Sequence, residues 1–211
     1  MNKKGVLIVL SGFSGAGKGT IVKKLLETYD NYALSISMTT RKPRPGEEHG
    51  REYFFVEKDV FEKHIEDDAL VEYAQYVGNY YGTPKAYVEE QLSMGKDVIL
   101  EIEIQGALKI KERFPQALLM FVTTKSAEVL KNRLTGRGTE TEEVINNRMA
   151  RAIEESEGIA KYEYIIVNDD LDTCVKETHS IIQNAKAAAF RNEEFIRTIQ
   201  QELKDLSKGE K

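Results

Sequence analysis

Residues 12–20 read Gly-Phe-Ser-Gly-Ala-Gly-Lys-Gly-Thr, between an apolar run, Val6-Leu7-Ile8-Val9-Leu10, and an amphipathic run starting at Ile21. The implied order is strand, glycine-rich loop, helix, the setting of a phosphate-binding P-loop. Gly12, Gly15 and Gly17 allow a tight turn that aims backbone N–H groups inward. A helix opening near Lys18 adds the positive end of its dipole, and Lys18 adds a full charge. A turn that merely joins strand to helix would account for the glycines but not for a lysine at the helix mouth. Gly12, Phe13, Ser14, Gly15, Ala16, Gly17, Lys18, Gly19 and Thr20 are therefore expected to hold the phosphates of a nucleoside triphosphate. Gly19 stands where a hydroxyl would normally touch magnesium, and the hydroxyl follows at Thr20. This points to Mg²⁺ held mostly by water and triphosphate oxygens, with Thr20 nearer the α-phosphate.

The rest of the composition sets bounds. A chain of 211 residues can form one domain with a real core and small insertions. Its net charge of −5 argues against non-specific nucleic-acid binding. Cys174 is the only cysteine, which excludes an intrachain disulfide and a cysteine-rich zinc site. His49, His64 and His179 are far apart and form no ligand pattern. No apolar stretch reaches membrane-span length, and Met1-Asn2-Lys3-Lys4 runs straight into the first strand. The expected setting is cytoplasmic, with no membrane partner.

Apolar strand candidates recur near 6–10, 33–37, 98–104, 118–123 and 164–167, with helical segments between several of them. That alternation predicts an α/β fold with a parallel sheet flanked by helices. Two stretches break the rhythm: 38–90, rich in Tyr, Gly, Pro and charge, and 126–160, charged and helical around Gly136-Arg137-Gly138. Both read as insertions on the core, suited to a second substrate and a closing lid. From about Asp172 to Leu206 one long helical pattern is expected, marked by Val175, Ile181, Ile182, Ala185, Ala189, Ile196, Ile199 and Leu203. Its first half should pack on the sheet. Its second half fits either a homodimer contact or an exposed, bent helix.

Arg41 and Arg44 lie in a segment stiffened by Pro43 and Pro45, and two arginines on a short rigid loop suit a phosphate dianion. Downstream stand Tyr53, Glu72 and Gly78-Asn79-Tyr80-Tyr81-Gly82-Thr83. With Thr40-Arg41-Lys42-Pro43-Arg44, Ile104-Gln105-Gly106-Ala107, Gly136-Arg137-Gly138-Thr139-Glu140-Thr141 and Val167-Asn168-Asp169, these segments make the chain resemble the guanylate kinases from Gly5 to about Ile182. That family phosphorylates GMP with ATP. The resemblance implies a P-loop core at about 5–37, 91–125 and 161–190, a GMP-binding insertion at about 38–90 and a lid at about 126–160, within a single 1–211 domain. It also implies that Arg41, Arg44, Tyr53 and Tyr81 hold the GMP phosphate, and that Ser37, Glu72 and Thr83 contact the guanine. Guanine presents N1–H and its 2-amino group side by side, so one carboxylate can accept both. Adenine offers neither donor there, and a site built on hydrogen bonds can discriminate by about 10⁴–10⁵-fold.

Glu101 and Glu103 are expected on one face at the carboxyl end of the 98–104 strand, where ligands of such sheets bind. The family often has Asp at both positions. Glu101 is placed beside GMP or magnesium water. Thr139 and Glu142 fit a capping box that starts the lid helix. The resemblance assigns Arg137 and Arg148 to the triphosphate and Asn168 to the neighbourhood of the ATP base, while Arg133 and Arg151 are expected to bridge nearby glutamates. The implied reaction carries the ATP γ-phosphoryl group to GMP, with dGMP as a further acceptor and Mg²⁺ as cofactor. Lys18, Arg41, Arg137 and Arg148 are the catalytic candidates. Three other readings compete. A catalytically silent module that binds protein partners is opposed by the intact Lys18 loop and the arginines. A kinase for another nucleoside monophosphate is opposed by Glu72 with Ser37 and Thr83. A regulatory GTPase is opposed by the absence of Asn-Lys-x-Asp.

Overall fold

The computed structural model describes residues 4–76, 78–136 and 141–209. The chain opens with β1 (Leu7–Gly12), α1 (Lys18–Thr28) and β2 (Tyr32–Leu34). Two short strands, β3 (Met38–Thr39) and β4 (Phe54–Phe55), lead to α2 (Lys58–Glu66), then β5 (Leu70–Tyr76) and β6 (Asn79–Pro84). Next come α3 (Lys85–Ser93), β7 (Asp97–Glu101), α4 (Ile104–Arg113) and β8 (Leu118–Thr123). The last elements are α5 (Ala127–Thr135), α6 (Glu142–Ser156), β9 (Tyr164–Val167), α7 (Leu171–Lys186) and α8 (Glu193–Gly209).

Five strands form a wholly parallel sheet in the order β2-β7-β1-β8-β9. Its central strands are apolar on both faces, as a sheet covered on both sides requires. Ile8 and Leu10 pack with Ile21 and Leu25 of α1 and Ile182 of α7. Leu7 and Val9 pack on the opposite face with Ala107 and Ile110 of α4. β1 is central, between β7 and β8. The loops leaving the carboxyl ends of β1 and β7 are therefore neighbours, and this places the glycine-rich loop beside Glu101.

A second, four-stranded sheet has the order β4-β3-β6-β5. Its small core is Met38, Phe61 and Leu70, with Phe61 stacked on Tyr80 at 5.2 Å. The pairing of β5 with β6 shifts register between Leu70 and Tyr73. At this irregularity Val71 joins the core of the large sheet while Glu72 is also buried. At the other end of the large sheet, Asp97 is fully buried and accepts hydrogen bonds from Val6 N (2.9 Å), Asn31 Nδ2 (2.8 Å) and Lys186 Nζ (2.8 Å).

Several boundaries differ from those expected. The 98–104 strand stops at Glu101, because Glu103 turns to cap α4 and its carbonyl accepts from Ala107 N. Glu103 is thus not on the strand face with Glu101. The lid helix starts one residue after Thr141, whose hydroxyl accepts from Val144 N at 3.4 Å. Thr141 is its cap, and Thr139 lies outside the described residues. The C-terminal helical pattern is two helices separated by a 3₁₀ turn at Ala189–Arg191. Asn192 Nδ2 donates to Lys186 O and Ala188 O, and Arg191 Nη1 donates to Ala185 O. These side chains take the last carbonyls of α7 and end it.

Candidate active site

Gly12 closes β1 at φ 154°, and a Cβ there would lie 2.2 Å from Val122 O of the adjoining strand. Gly17 caps α1 at φ 93°, where a Cβ would meet Asn168 Nδ2 at 2.4 Å. Both positions need glycine. Among the described residues, no acceptor takes the backbone N–H of Gly17, Lys18, Gly19 or Thr20. These are the open donors of the first turn of α1, aimed where an anion can take them. Lys18 Nζ donates to Gly12 O at 2.5 Å and to Phe13 O at 3.4 Å. Phe13 sets its ring edge-on to Phe121 at 5.0 Å, which anchors the loop to the core. Ser14 and Thr20 are exposed.

Buried Asn168 follows β9 and donates through Nδ2 to Ala16 O at 2.8 Å. Arg133 of α5 donates to the same carbonyl (3.3 Å) and to Asn168 O (2.8 Å). The glutamate bridge expected for Arg133 is therefore not what it makes. A cleft of about 340 Å³ passes between Gly17, Thr20, Arg133, Asn168 and Leu171. A neighbouring cleft of about 350 Å³ separates the glycine-rich loop from Glu101. Glu101 is reached by solvent, yet the walls of this cleft strip part of its water and raise its pKa. Lys18 opposes that rise, and Glu103 adds to it. Tyr53 also feels the charge of Glu101. Glu101 therefore stands between the glycine-rich loop and the small sheet. Glu103 instead takes Arg151 Nη2 at 3.2 Å, and Arg151 Nε bonds Glu155 at 3.0 Å, the glutamate bridging expected of Arg151.

On the small sheet and its loops, Arg41 forms a two-pronged pair with Glu47: Nη2–Oε1 3.0 Å and Nη1–Oε2 2.9 Å. Its guanidinium centre lies 5.4 Å from the Tyr53 ring and 5.7 Å from that of Phe55. The pair raises the Arg41 pKa and holds that of Glu47 down. Arg44 N–H also donates to Glu47 Oε2 (2.8 Å), while the Arg44 side chain is exposed. Tyr53 and Tyr81 meet edge to face at 6.0 Å, and burial pushes the Tyr53 phenol upward. Ser37 is half-buried, and its carbonyl accepts from Phe54 N.

Glu72 is 8 % exposed and accepts from the fully buried Thr83 hydroxyl at 2.8 Å through Oε1. Its Oε2 takes no hydrogen bond from the described residues, and a Cβ at Gly106 would come within 3.0 Å of it. Burial raises the Glu72 pKa, opposed by the Thr83 hydrogen bond and by Lys109. Such a carboxylate can take two parallel donors from a flat, polar ring edge. Arg148 is half-buried on α6, and Arg137 lies outside the described residues. Among the described residues no three His, Cys, Asp or Glu side chains form a metal-binding group, and no helix is long and apolar enough to cross a membrane.

Two side chains of this site escape sequence reasoning. Glu47 carries a signal, since it lies three residues past Arg44 in a Pro-Arg-Pro-Gly-Glu turn. Arg133 carries none, because its acceptors are backbone carbonyls distant in sequence.

A family model described as guanylate kinase matches residues 4–185. The chain is similar to a guanylate kinase of Caldanaerobacter subterraneus subsp. tengcongensis, 48% identical over 202 residues, covering 96% of this chain and 98% of that one. It is 52% identical over 194 residues to a guanylate kinase of Clostridioides difficile, covering 92% and 95% respectively. The crystal structure of guanylate kinase from Anaplasma phagocytophilum superposes with a TM-score of 0.73 at 30% identity, covering 90% of each chain.

Proposed function

This chain belongs to the guanylate kinase family, and on that footing we propose that it transfers the γ-phosphoryl group of ATP to the phosphate of GMP, giving ADP and GDP, with dGMP as a second acceptor. The observation that carries the guanine assignment is the buried Glu72, half-satisfied by Thr83. Guanine N1–H and its 2-amino group supply the two donors that this carboxylate lacks. Adenine would leave it buried and poorly paired. Ser37 and Thr83 complete the base pocket, and Arg41, Arg44, Tyr53 and Tyr81 hold the phosphate.

The attacking atom is an anionic oxygen of the GMP phosphate. It bonds to the γ-phosphorus as the bridging bond to the ADP oxygen breaks, and ADP leaves with that electron pair. The nucleophile carries no proton, so no general base and no covalent enzyme intermediate are needed. What remains for the protein is alignment, charge neutralisation and exclusion of water. The open N–H groups of Gly17 to Thr20 and the Lys18 ammonium take the donor phosphates. Arg137 and Arg148 reach the triphosphate from the lid, and Arg41 holds the acceptor. Closure of the lid at about 126–160 and of the small sheet brings donor and acceptor in line.

The donor set fits a magnesium ion bound mostly through water and phosphate. One carboxylate, Glu101, faces the loop across Gly19, and Thr20 offers one hydroxyl. Bound there, Mg²⁺ would neutralise charge on the β- and γ-phosphates. The expected setting is the cytoplasm.

ADP formation from MgATP with GMP, dGMP, AMP, UMP, CMP or dTMP, against an acceptor-free control, tests the reading. Turnover confined to GMP and dGMP is expected. Turnover with a different base would overturn the Glu72 pocket. A folded protein that binds GMP without turnover would be a silent module.

A further inference from the structure

We infer that α4 positions the carboxylate that reads the base: Gly106, Lys109 and Arg113 hold the bulged strand β5 so that Glu72 faces the guanine. The inference rests on the GMP reading above and deepens it, by naming what aims the side chain that carries that reading.

An ordinary strand alternates its side chains between two faces. β5 does not, since Leu70, Val71 and Glu72 are buried in succession. The pairing register gives the reason. Leu70 lies opposite Pro84 and Tyr73 opposite Gly82, so three steps along β5 match two along β6. Val71 and Glu72 together oppose the single residue Thr83, which is a β-bulge. The bulge lets Leu70 fill the small core, Val71 the large one and Glu72 meet the Thr83 hydroxyl, in three consecutive places. A slip of one residue would turn Glu72 to the other face of the strand. A bulge also disrupts the ladder around it, so its geometry gains from support outside the sheet. α4 supplies that support. Arg113 Nη1 donates to Leu70 O at 3.0 Å, before the bulge, and Lys109 Nζ donates to Tyr73 O at 3.3 Å, after it. The two residues are four apart and share one face of the helix. The Lys109 ammonium also stands 5.8 Å from the centre of the Tyr73 ring. Gly106, one turn before Lys109, belongs to the same face. A Cβ there would lie 3.0 Å from Glu72 Oε2 and 3.3 Å from Ile102 Cδ1, so an added methyl group would push the carboxylate aside by a few tenths of an ångström. Lys109 acts on charge as well, opposing the rise that burial imposes on the Glu72 pKa. One helix face thus fixes the strand on both sides of Glu72 and leaves room for its free oxygen, which is the preorganisation a recognition group needs.

Calorimetric titration of the full chain with GMP and with ribose 5-phosphate, which has the phosphate but no base, tests the inference. Gly106→Ala should weaken GMP about 10-fold and Lys109→Met about 3-fold, with the affinity for ribose 5-phosphate unchanged. Lys109→Arg keeps a cationic donor and should stay near the wild type. Alanine favours a helix over glycine, so a weaker GMP complex in Gly106→Ala cannot be traced to a weaker helix. Thermal melts identify a variant that is merely unfolded. Lys109 is exposed, so Lys109→Met carries the test if Gly106→Ala does not fold. In a Glu72→Ala background both losses should vanish, because no carboxylate is left to aim. Unchanged GMP affinity in the folded variants, equal weakening of GMP and ribose 5-phosphate, or losses that persist without Glu72 would each overturn the inference and leave the guanine reading standing. If Glu72→Ala alone leaves GMP affinity intact, the guanine reading itself falls, and the inference with it.

Discussion

Glu72 loses most of its water in the folded chain and recovers one hydrogen bond, from Thr83. Its pKa is raised as a result, chiefly by burial. The sign for stability follows directly. A raised carboxyl favours the folded state below the ordinary carboxylate pKa, and that contribution is lost as pH climbs through the raised value. Guanine requires the opposite, ionised form. GMP affinity should therefore fall as pH drops through the raised Glu72 value, and Glu72→Gln should flatten that limb. The ratio of the two proteins' dissociation constants across pH isolates the effect, because titration of the GMP phosphate cancels. At pH 7 the same variant is expected to lower kcat/KM for GMP roughly 100-fold, about 3 kcal/mol. It should raise the urea midpoint, since it removes a poorly paired buried charge. Lys18→Ala is expected to cut kcat by about 10³-fold with the thermal midpoint unmoved. Stopped-time ADP assays and melting curves read both quantities. At this scale the glycines and Lys18 were legible because spacing alone marks them. Glu72 was legible only with its neighbours. Arg133 was hidden because its acceptors are carbonyls brought near by the fold.

The elements show where periodicity informs and where it misleads. The parallel strands read off as apolar runs because both faces are covered. The break between α7 and α8 did not, because Lys186-Ala187-Ala188-Ala189 is rich in strong helix formers. What ends α7 is a local cap made by side chains just past it: the Asn192 amide and the Arg191 guanidinium on the carbonyls at its end. The 98–104 run looked continuous for a related reason, since Ile102 and Ile104 stay apolar while packing on the core beyond the strand. The tie between the two sheets was likewise not legible. Arg113, at the end of α4, donates to both oxygens of Asp68 (2.5 and 2.6 Å) and to Leu70 O (3.0 Å), where β5 begins. Asp68 sits at φ 49° and also takes Lys85 Nζ at 3.0 Å. These groups are partly exposed, so Arg113→Ala should destabilise the fold only slightly. The loss should fall on KM for GMP rather than on KM for ATP, because β5 carries Glu72. Urea unfolding and steady-state kinetics with each substrate varied would check both parts.

Taken whole, the molecule is a two-sheet body followed by a last, largely exposed helix, α8. The family model's match ends at residue 185, before α8, in which Leu203 and Leu206 are 62% and 71% exposed. Removing residues 193–211 should leave GMP phosphorylation within about twofold, since no site residue lies there and the caps of α7 remain. Light scattering on the same truncation decides between the homodimer contact and the exposed helix. Smaller particles after truncation mean a contact, and unchanged monomers mean an exposed helix. The charge balance of the molecule gives a further consequence. The chain carries −5 overall yet takes two anionic nucleotides, and the arginine aimed at one of them is already engaged by Glu47 through both of its prongs. An incoming phosphate thus arrives as a rival to a resident carboxylate. Binding is a change of partner and not the filling of a bare positive hole. A swap of one anion for another releases fewer counterions than a first pairing would, so added salt should weaken GMP binding less than a count of arginines implies.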